Sequence, residues 1–175
     1  MLLSVPGFSQ DYNTARLSVL SGGDIPFYFN TIKKYQDGIE ITDGTTLGIT
    51  IADLPTEPPI VGSTLTGWSL EFDSYNAQPT IQGSGANTLN LNTIQVEATN
   101  NLGLDPADAN YYGYKDLTVA GEVLMDTNFA GHLNCDWSTC QVNLSYQAGI
   151  ANGSLLGETP DYYTVEIEVI LIPQF

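Results

Sequence analysis

Turn-forming residues recur along the whole chain and confine regular structure to short segments. Ser-Gly-Gly, Asp-Gly, Gly-Ser-Gly, Asn-Gly and Pro-Asp groups lie between runs in which apolar and polar side chains alternate. Alternation is typical of strands that bury one face, because successive side chains of a strand point to opposite sides. The runs span residues 15–20, 25–29, 38–42, 46–51, 68–72, 88–91, 94–98, 117–124, 142–146 and 162–172.

About ten short strands separated by turns predict an all-β fold, an antiparallel β-sandwich of immunoglobulin-like or jelly-roll-like type. In the clearest run, 162–172, the odd-numbered residues from Tyr163 to Leu171 share one apolar face. Single helical turns are expected at 30–36 and 105–108, and both are too short to build a layer. The proline-rich segment 54–62 is interpreted as an exposed connection, so residues 10–175 are predicted to form one domain.

Acidic residues dominate the charge of the chain. Asp and Glu number 20 against 4 Lys and Arg, which gives a formal net charge of −16. Such a field repels phosphate backbones and anionic lipid headgroups, so a nucleic-acid partner is not expected. Charged residues make up only 14% of the chain, and neutral Thr, Asn, Ser and Gly take their place. No apolar run approaches the ~18 residues that a membrane-spanning helix needs.

Two features of the sequence predict export. Residues 1–9, an apolar run followed by small residues Gly7 and Ser9, are interpreted as the remnant of a secretory signal, with a plain first strand as the alternative. Cys135 and Cys140 bracket a tight turn and are predicted to form a disulfide, since Cys-x-x-Cys spacing or further ligands for a redox or metal pair are lacking. We therefore expect a secreted, extracellular protein associated with the cell surface.

The sequence does not predict an enzyme. The chain has a single histidine, His132, and no Gly-x-Ser-x-Gly motif, so the parts of a hydrolytic triad or of a zinc site are missing. Two carboxylate pairs, Glu71 with Asp73 and Glu166 with Glu168, have the strand spacing that places both groups on one face. We interpret these pairs as part of a solvated outer face.

Calcium is the one metal ion that the sequence suggests. Asp105, Asp108 and Asn110 lie in one predicted loop, and hard cations bind clusters of carboxylate and carbonyl oxygens. A second set of acidic residues lies at 37–43. The alternative is that both acidic loops serve only to keep the protein soluble, since neither matches a calcium-binding motif.

Aromatic residues in loops predict a binding surface. Tyr111, Tyr112 and Tyr114 flank Gly113, and Trp137 lies inside the predicted disulfide turn. Exposed aromatic rings offer a large contact area at a low cost in conformational entropy. Trp68, by contrast, alternates with apolar residues on a predicted strand, and we expect it in the core.

A bacterial surface family shares part of this pattern. Residues 65–72 (LTGWSLEF) and 87–97 (NTLNLNTIQVE) resemble bacterial surface β-sandwich proteins, and Trp68-Ser69-Leu70 matches the first motif of the WxL cell-surface domain. The run 163–171 lies where that family has its closing strand, but it lacks a second Trp-x-Leu, so peptidoglycan binding is not carried over. The start of the chain is similar to the export signals of Bacteroidota envelope proteins.

These patterns favour a non-enzymatic structural or adhesive surface protein that self-assembles, as a pilin-like fibre subunit does. Runs 15–20 and 162–172 are the strands expected to pair with another copy or with other surface proteins if they lie at sheet edges. Two alternatives stay open. One is a carbohydrate-binding module that stacks glycans on Tyr111, Tyr112, Tyr114 and Trp137, and the other is a viral or phage coat or spike domain.

Overall fold

The computed structural model of the protein describes residues 14–52, 65–104, 106–107, 109–127, 134–152 and 154–174. Within these residues, thirteen strands are present, together with one short α-helix, α1 (Ile32–Asp37), and two single-turn 3-10 helices, Tyr75–Ala77 and Leu91–Thr93. The strands are β1 (Thr14–Ser21), β2 (Ile39–Ala52), β3 (Gly67–Ser74), β4 (Thr80–Gly83), β5 (Thr88–Asn90), β6 (Ile94–Leu102), β7 (Asn110–Tyr111), β8 (Lys115–Asp116), β9 (Glu122–Thr127), β10 (Asn134–Cys135), β11 (Gln141–Ala148), β12 (Tyr163–Thr164) and β13 (Ile167–Gln174).

The strands pair antiparallel in three sheets, which confirms the predicted all-β sandwich. Sheet I has the order β1-β2-β11-β6-β8, and β10 pairs with the end of β2. Sheet II has the order β13-β3-β9-β7, and the small sheet III has the order β12-β4-β5. Apart from β1 and β2, the neighbouring strands of sheets I and II are non-consecutive, so most of the pairing joins segments that are distant in the sequence.

The apolar faces of the sheets share one core. Sheet I contributes Leu47, Ile49, Val96, Val142 and Leu144, and sheet II contributes Trp68, Leu70, Phe72, Leu124 and Met125. Trp68 is fully buried, as the sequence predicts, and so is Leu70 of the same Trp-x-Leu motif. Removing large side chains of this kind from water is the main favourable contribution to the stability of such a fold.

The prediction that a turn at Asp43-Gly44 separates two strands is wrong. Residues 39–52 form the single strand β2, and the turn residues are accommodated by an irregularity in its pairing with β11. Leu144 pairs with Thr45 but Tyr146 pairs with Ile41, so β2 carries extra residues at this point. Asp43 has a positive φ of 51°. The turn-forming residues Asp43 and Gly44 therefore produce a local kink in β2, and the strand continues beyond it.

The long closing strand predicted at 162–172 is divided in two. Its two parts, β12 and β13, belong to sheets III and II respectively, and residues 165 and 166 join them outside any strand. The predicted facing is confirmed, because Tyr163, Val165 and Leu171 all pack against the core. Pro173 lies inside β13, opposite Trp68. β13 is an end strand of sheet II among the described residues, and an edge position tolerates the missing N–H of proline.

One predicted strand is absent from the described structure, and another begins later than predicted. Residues 25–29 form no strand. Ile25, Phe27 and Phe29 are nevertheless half-buried against the core, so the alternating pattern arises from a loop that packs on the core. In the run 117–124, β9 begins only at Glu122, after Gly121 with its positive φ of 75°. The helical turn expected at 30–36 is confirmed as α1, whose N-cap Thr31 accepts a hydrogen bond from the Lys34 backbone N–H.

None of the helices in the described part of the chain is long and apolar enough to cross a membrane.

Candidate binding surfaces

Three of the four paired carboxylates noted in the sequence lie on the outer side of sheet II. Glu71 and Asp73 are half-buried on β3, and Glu168 of β13 is exposed directly opposite Asp73. Asp73 Oδ1 is buried and has no hydrogen-bond partner among the described residues. Like charges directly opposite each other on paired strands destabilise a sheet. Glu166 is exposed and lies outside the strands.

Tyr111 lies in β7 and faces the protein interior. Its ring packs against the core, and its hydroxyl donates a hydrogen bond of 2.7 Å to the Leu104 carbonyl oxygen. A half-buried phenol that is bonded to the backbone fixes the preceding loop against sheet II. This tyrosine therefore has a structural role in the fold.

Tyr112 is exposed on the outside of sheet II. Its hydroxyl donates to Asp126 Oδ2 at 2.6 Å, and this bond raises the pKa of Tyr112 above its ordinary value. Lys115 Nζ lies 5.7 Å from the centre of the ring, within range of a cation–π interaction. With Glu122 and Val123 these residues line an open depression.

Tyr114 points to the outer side of sheet I and belongs to a different group. Its hydroxyl donates to Glu40 Oε1 at 2.7 Å, and Gln147 Nε2 donates to the same oxygen at 3.1 Å. The bond from Tyr114 is the main cause that lowers the pKa of Glu40, whereas burial raises the pKa of Glu97 and of Tyr114. The three tyrosines therefore bond to separate partners on both sheets, and they do not form one surface.

The predicted disulfide between Cys135 and Cys140 is confirmed. The two Cα atoms are 5.6 Å apart, and both cysteines are buried. The enclosed turn is closed by hydrogen bonds of 2.8 Å from the Thr139 and Cys140 N–H groups to the Asp136 carbonyl oxygen. Because β10 and β11 both pair with β2, the disulfide joins two neighbouring segments along that strand.

Trp137 projects from this turn over the outer side of sheet I, with 51% of its surface exposed. Its backbone N–H donates to Thr50 Oγ1 at 3.3 Å. A Cβ added at Gly48 would lie 3.0 Å from Trp137 Cβ and 3.2 Å from Leu20 Cδ1. Gly48 therefore allows Trp137 and Leu20 to close over the strand from both sides, which produces a short apolar strip on the sheet surface.

Next to this strip lies a patch of uncharged polar residues, which we call the neutral face. On β2, β11 and β6 these residues alternate with core residues, and Ser18 of β1 pairs with Gly48 of β2. Their side chains therefore point outward. The neutral face consists of Ser18, Thr46, Thr50, Thr99, Gln141 and Asn143. Arg16 lies opposite Thr50 at one margin, and Glu97 lies two residues from Thr99 at the other.

The calcium prediction is tested only in part. Asp105 and Asp108 lie outside the described residues, while the Asn110 side chain donates to Asp126 Oδ1 at 2.7 Å. Of the second acidic set, Glu40 and Asp43 are part of β2 instead of a loop. Among the residues that the structure describes, no group of three or more His, Cys, Asp or Glu side chains is arranged to hold a metal ion. His132 and residues 1–9 also lie outside the described part.

One further cavity, of about 250 Å³, lies between sheet III and the segment after β11. It is lined mainly by hydroxyl and amide side chains, among them Thr88, Asn90, Asn92 and Asn152. Asn152 Nδ2 donates to the Asn92 carbonyl oxygen at 2.6 Å and to Asp116 Oδ1 at 3.0 Å. These bonds hold the segment that follows β11 against sheet I, which is a structural role.

Comparison of the chain with models of protein families and with curated proteins finds no match.

Proposed function

We propose that the protein is an exported, non-enzymatic structural or adhesive subunit of a cell surface that associates with further copies of itself. The observation that carries the proposal is that the described residues leave the sandwich open on one side. Val19 of β1 pairs with Leu47 and therefore points to the core side of sheet I, yet Val19 is 62% exposed and Leu47 only 1%. Within the part of the chain that the structure describes, the apolar layer therefore continues to the edge of the sheet with Val19 largely exposed.

The same side of the sandwich presents two strand edges. β1 and β13 are end strands of sheets I and II among the described residues, and they contact each other without pairing. Val169 and Leu171 of β13 are half-buried on the core side, and Ile170 is exposed on the outer side. Unpaired edge strands with apolar side chains are the usual sites of strand addition between subunits.

Two further observations support export and assembly outside the cell. The Cys135–Cys140 disulfide suits an oxidising compartment, where such bonds persist. The net charge of −16 opposes close contact between copies, and physiological salt screens this repulsion over a distance of about 8 Å. We therefore expect assembly to depend on salt as well as on the edges.

The test is the mass of the protein in solution, measured by size-exclusion chromatography with light scattering. The protein is kept non-reduced at micromolar concentration in ~0.15 M salt. We expect species well above the 18.9 kDa of one chain. Val19→Lys and Ile170→Lys each place a charge at an edge and are expected to shift the distribution to the monomer.

Ile32→Lys is the matched control, because Ile32 is 73% exposed on α1 and belongs to neither edge strand, and the substitution makes the same change of charge. Each added lysine lowers the repulsion between copies, so a loss of assembly in the edge variants cannot come from net charge. A monomeric wild type at every concentration would contradict the proposal. So would assemblies that survive both edge substitutions.

A further inference from the structure

We infer that the neutral face and Trp137 form a binding site for an uncharged polysaccharide, with Trp137 as the ring on which a sugar stacks. The site lies on the outer side of sheet I, whereas the association proposed above uses the edges and the open side of the sandwich. The two proposals rest on different residues, and either can fail without the other.

The first argument is the way in which Trp137 is displayed. The disulfide closes the turn, Thr50 Oγ1 accepts from the Trp137 N–H, and Gln141 Nε2 donates to the Trp137 carbonyl oxygen at 3.1 Å. The backbone on both sides of the ring is therefore held while half of the side chain faces solvent. A large exposed side chain on a fixed backbone loses little conformational freedom on binding.

The second argument is the chemistry of the surface beside the ring. Thr46 Oγ1 donates to Asn143 Oδ1 at 3.0 Å, and Asn101 Nδ2 donates to Gln141 Oε1 at 2.9 Å. Hydroxyl and amide groups both donate and accept, as sugar hydroxyls do. Two acidic residues lie at the margins of the site: Glu97, and Asp136 beside Trp137, whose carboxylate accepts hydrogen bonds from the Ser138 N–H and hydroxyl. An uncharged hydroxylated ligand matches such a surface.

The third argument is the shape of the site. Thr46 pairs with Asn143, which pairs with Thr99, and Ser21 of β1 lies opposite Thr46, so one polar row crosses four strands. At the usual spacing of strands this row is roughly 14 Å long. A polar row of this length suits an extended chain of sugars. The net charge of −16 works against anionic polysaccharides and nucleic acids.

Tryptophan fluorescence gives a direct test, since the chain has two tryptophans and Trp68 is fully buried. Quenching by acrylamide therefore reports on Trp137. The protein is titrated with hexasaccharides of glucose, xylose, mannose and N-acetylglucosamine. We expect one of these series to protect Trp137 from quenching in a saturable manner, and carboxymethylated glucan to give weaker protection.

Variants are compared by calorimetry and by retardation in native gels containing the polysaccharide. Trp137→Ala should weaken binding roughly tenfold or more, as the loss of a central aromatic contact does, and Trp137→Phe should restore part of it. Asn143→Asp removes an amide donor but keeps the oxygen that Thr46 bonds, and it should weaken binding to a smaller degree. Tyr162→Ala, at an exposed aromatic residue in the segment preceding β12, is the control and should bind as the wild type does.

Three results would overturn the inference. One is the absence of saturable protection and of retardation with all four sugars. Another is binding that Trp137→Ala leaves unchanged. The third is protection of Trp137 that rises with protein concentration in the absence of sugar, which would assign this face to a second copy of the chain. The mass measurements on Val19→Lys and Ile170→Lys test assembly through the edges separately. They therefore show whether self-association through the outer face occurs in addition to edge-mediated assembly or in its place.

Discussion

Among single residues, Gly22 shows most directly how close contact between backbones limits side-chain choice. Gly22 follows β1 with a φ of 72°, and a Cβ there would lie 1.7 Å from the Gly44 carbonyl oxygen. Its own carbonyl oxygen accepts a bond of 2.5 Å from Thr45 Oγ1. The contact therefore joins the end of β1 to the irregular part of β2.

Gly22→Ala is expected to destabilise the protein by about 2 kcal/mol or more, through backbone strain and the clash with Gly44. Gly23 is the matched control, because it has no positive φ and a Cβ there meets nothing within 4 Å. Gly23→Ala should change stability by less than about 0.5 kcal/mol. Urea unfolding of both variants measures the difference, and equal effects at the two positions would contradict this account of Gly22.

The aromatic residues show how far single-residue prediction reaches. The burial of Trp68 and the exposure of Trp137 follow from alternation and from the turn, which are both local patterns. The tyrosines differ, because Tyr114 bonds to Glu40 and Tyr112 bonds to Asp126, and neither partner is adjacent in the sequence. Only the folded chain determines which hydroxyl groups remain available to a ligand.

Between elements, the carboxylate of Asp161 links the segment before β12 to the turn between β4 and β5. It accepts hydrogen bonds from Ser84 Oγ, from the N–H groups of Ser84 and Gly85, and from Asn87 Nδ2. The bond from the Ser84 side chain is the main cause that holds the pKa of Asp161 far below its ordinary value. One ionised side chain thus organises the connections of sheet III.

Asp161→Asn should lower the melting temperature at neutral pH, because the amide replaces an acceptor that receives several bonds. A lowered pKa means that the ionised form favours folding. The benefit is complete above the unfolded value of about 4 and is lost as the pH falls below it. The gap between wild type and variant should therefore narrow between about pH 5 and pH 2.

Thermal unfolding followed by circular dichroism at each pH provides this measurement. Asp24→Asn, at an exposed carboxylate in the loop after β1, is the control. Its melting temperature should differ little from that of the wild type at every pH. A gap for Asp161→Asn that stays constant down to low pH would show that the charge of Asp161 does not contribute to stability.

The disulfide is also a feature of the element scale. The two cysteines are five positions apart in the sequence, so closing this loop stabilises the folded state by only about 2 kcal/mol in the chain-entropy treatment. Its second effect is on position, because it fixes the turn that carries Trp137 over β2. The pairing follows from the sequence, whereas the sheet surface that the turn covers does not.

For the whole molecule, net charge is the dominant long-range effect. A charge of −16 on a chain of 175 residues opposes compaction through self-repulsion. Added salt weakens this repulsion, since the screening length falls from about 30 Å at 0.01 M to about 8 Å at 0.15 M. Any partner that approaches the edges of the sandwich or its outer face therefore meets a negative electrostatic field.

Raising the salt concentration over this range at pH 7 should increase the melting temperature by about 2 °C or more, measured by calorimetry on dilute protein. The matched measurement is made near the sequence isoelectric point of 4.1, where the net charge is close to zero and the salt effect should largely vanish. A melting temperature that is unchanged or lower in salt at pH 7 would contradict the repulsion argument.

The sequence alone determined the all-β class, the core-facing side of most strands, the disulfide and the contrasting environments of the two tryptophans. These properties depend on neighbours within a few residues, where the two-residue period of a strand and the conformations of turns operate. The tertiary structure decided that residues 39–52 form one strand, that the closing run is divided between two sheets, and that the tyrosines lie apart. It also assembled the neutral face from β1, β2, β6 and β11. Strand pairing and packing act between segments far apart in the chain, and a local pattern carries no information about which of them become neighbours.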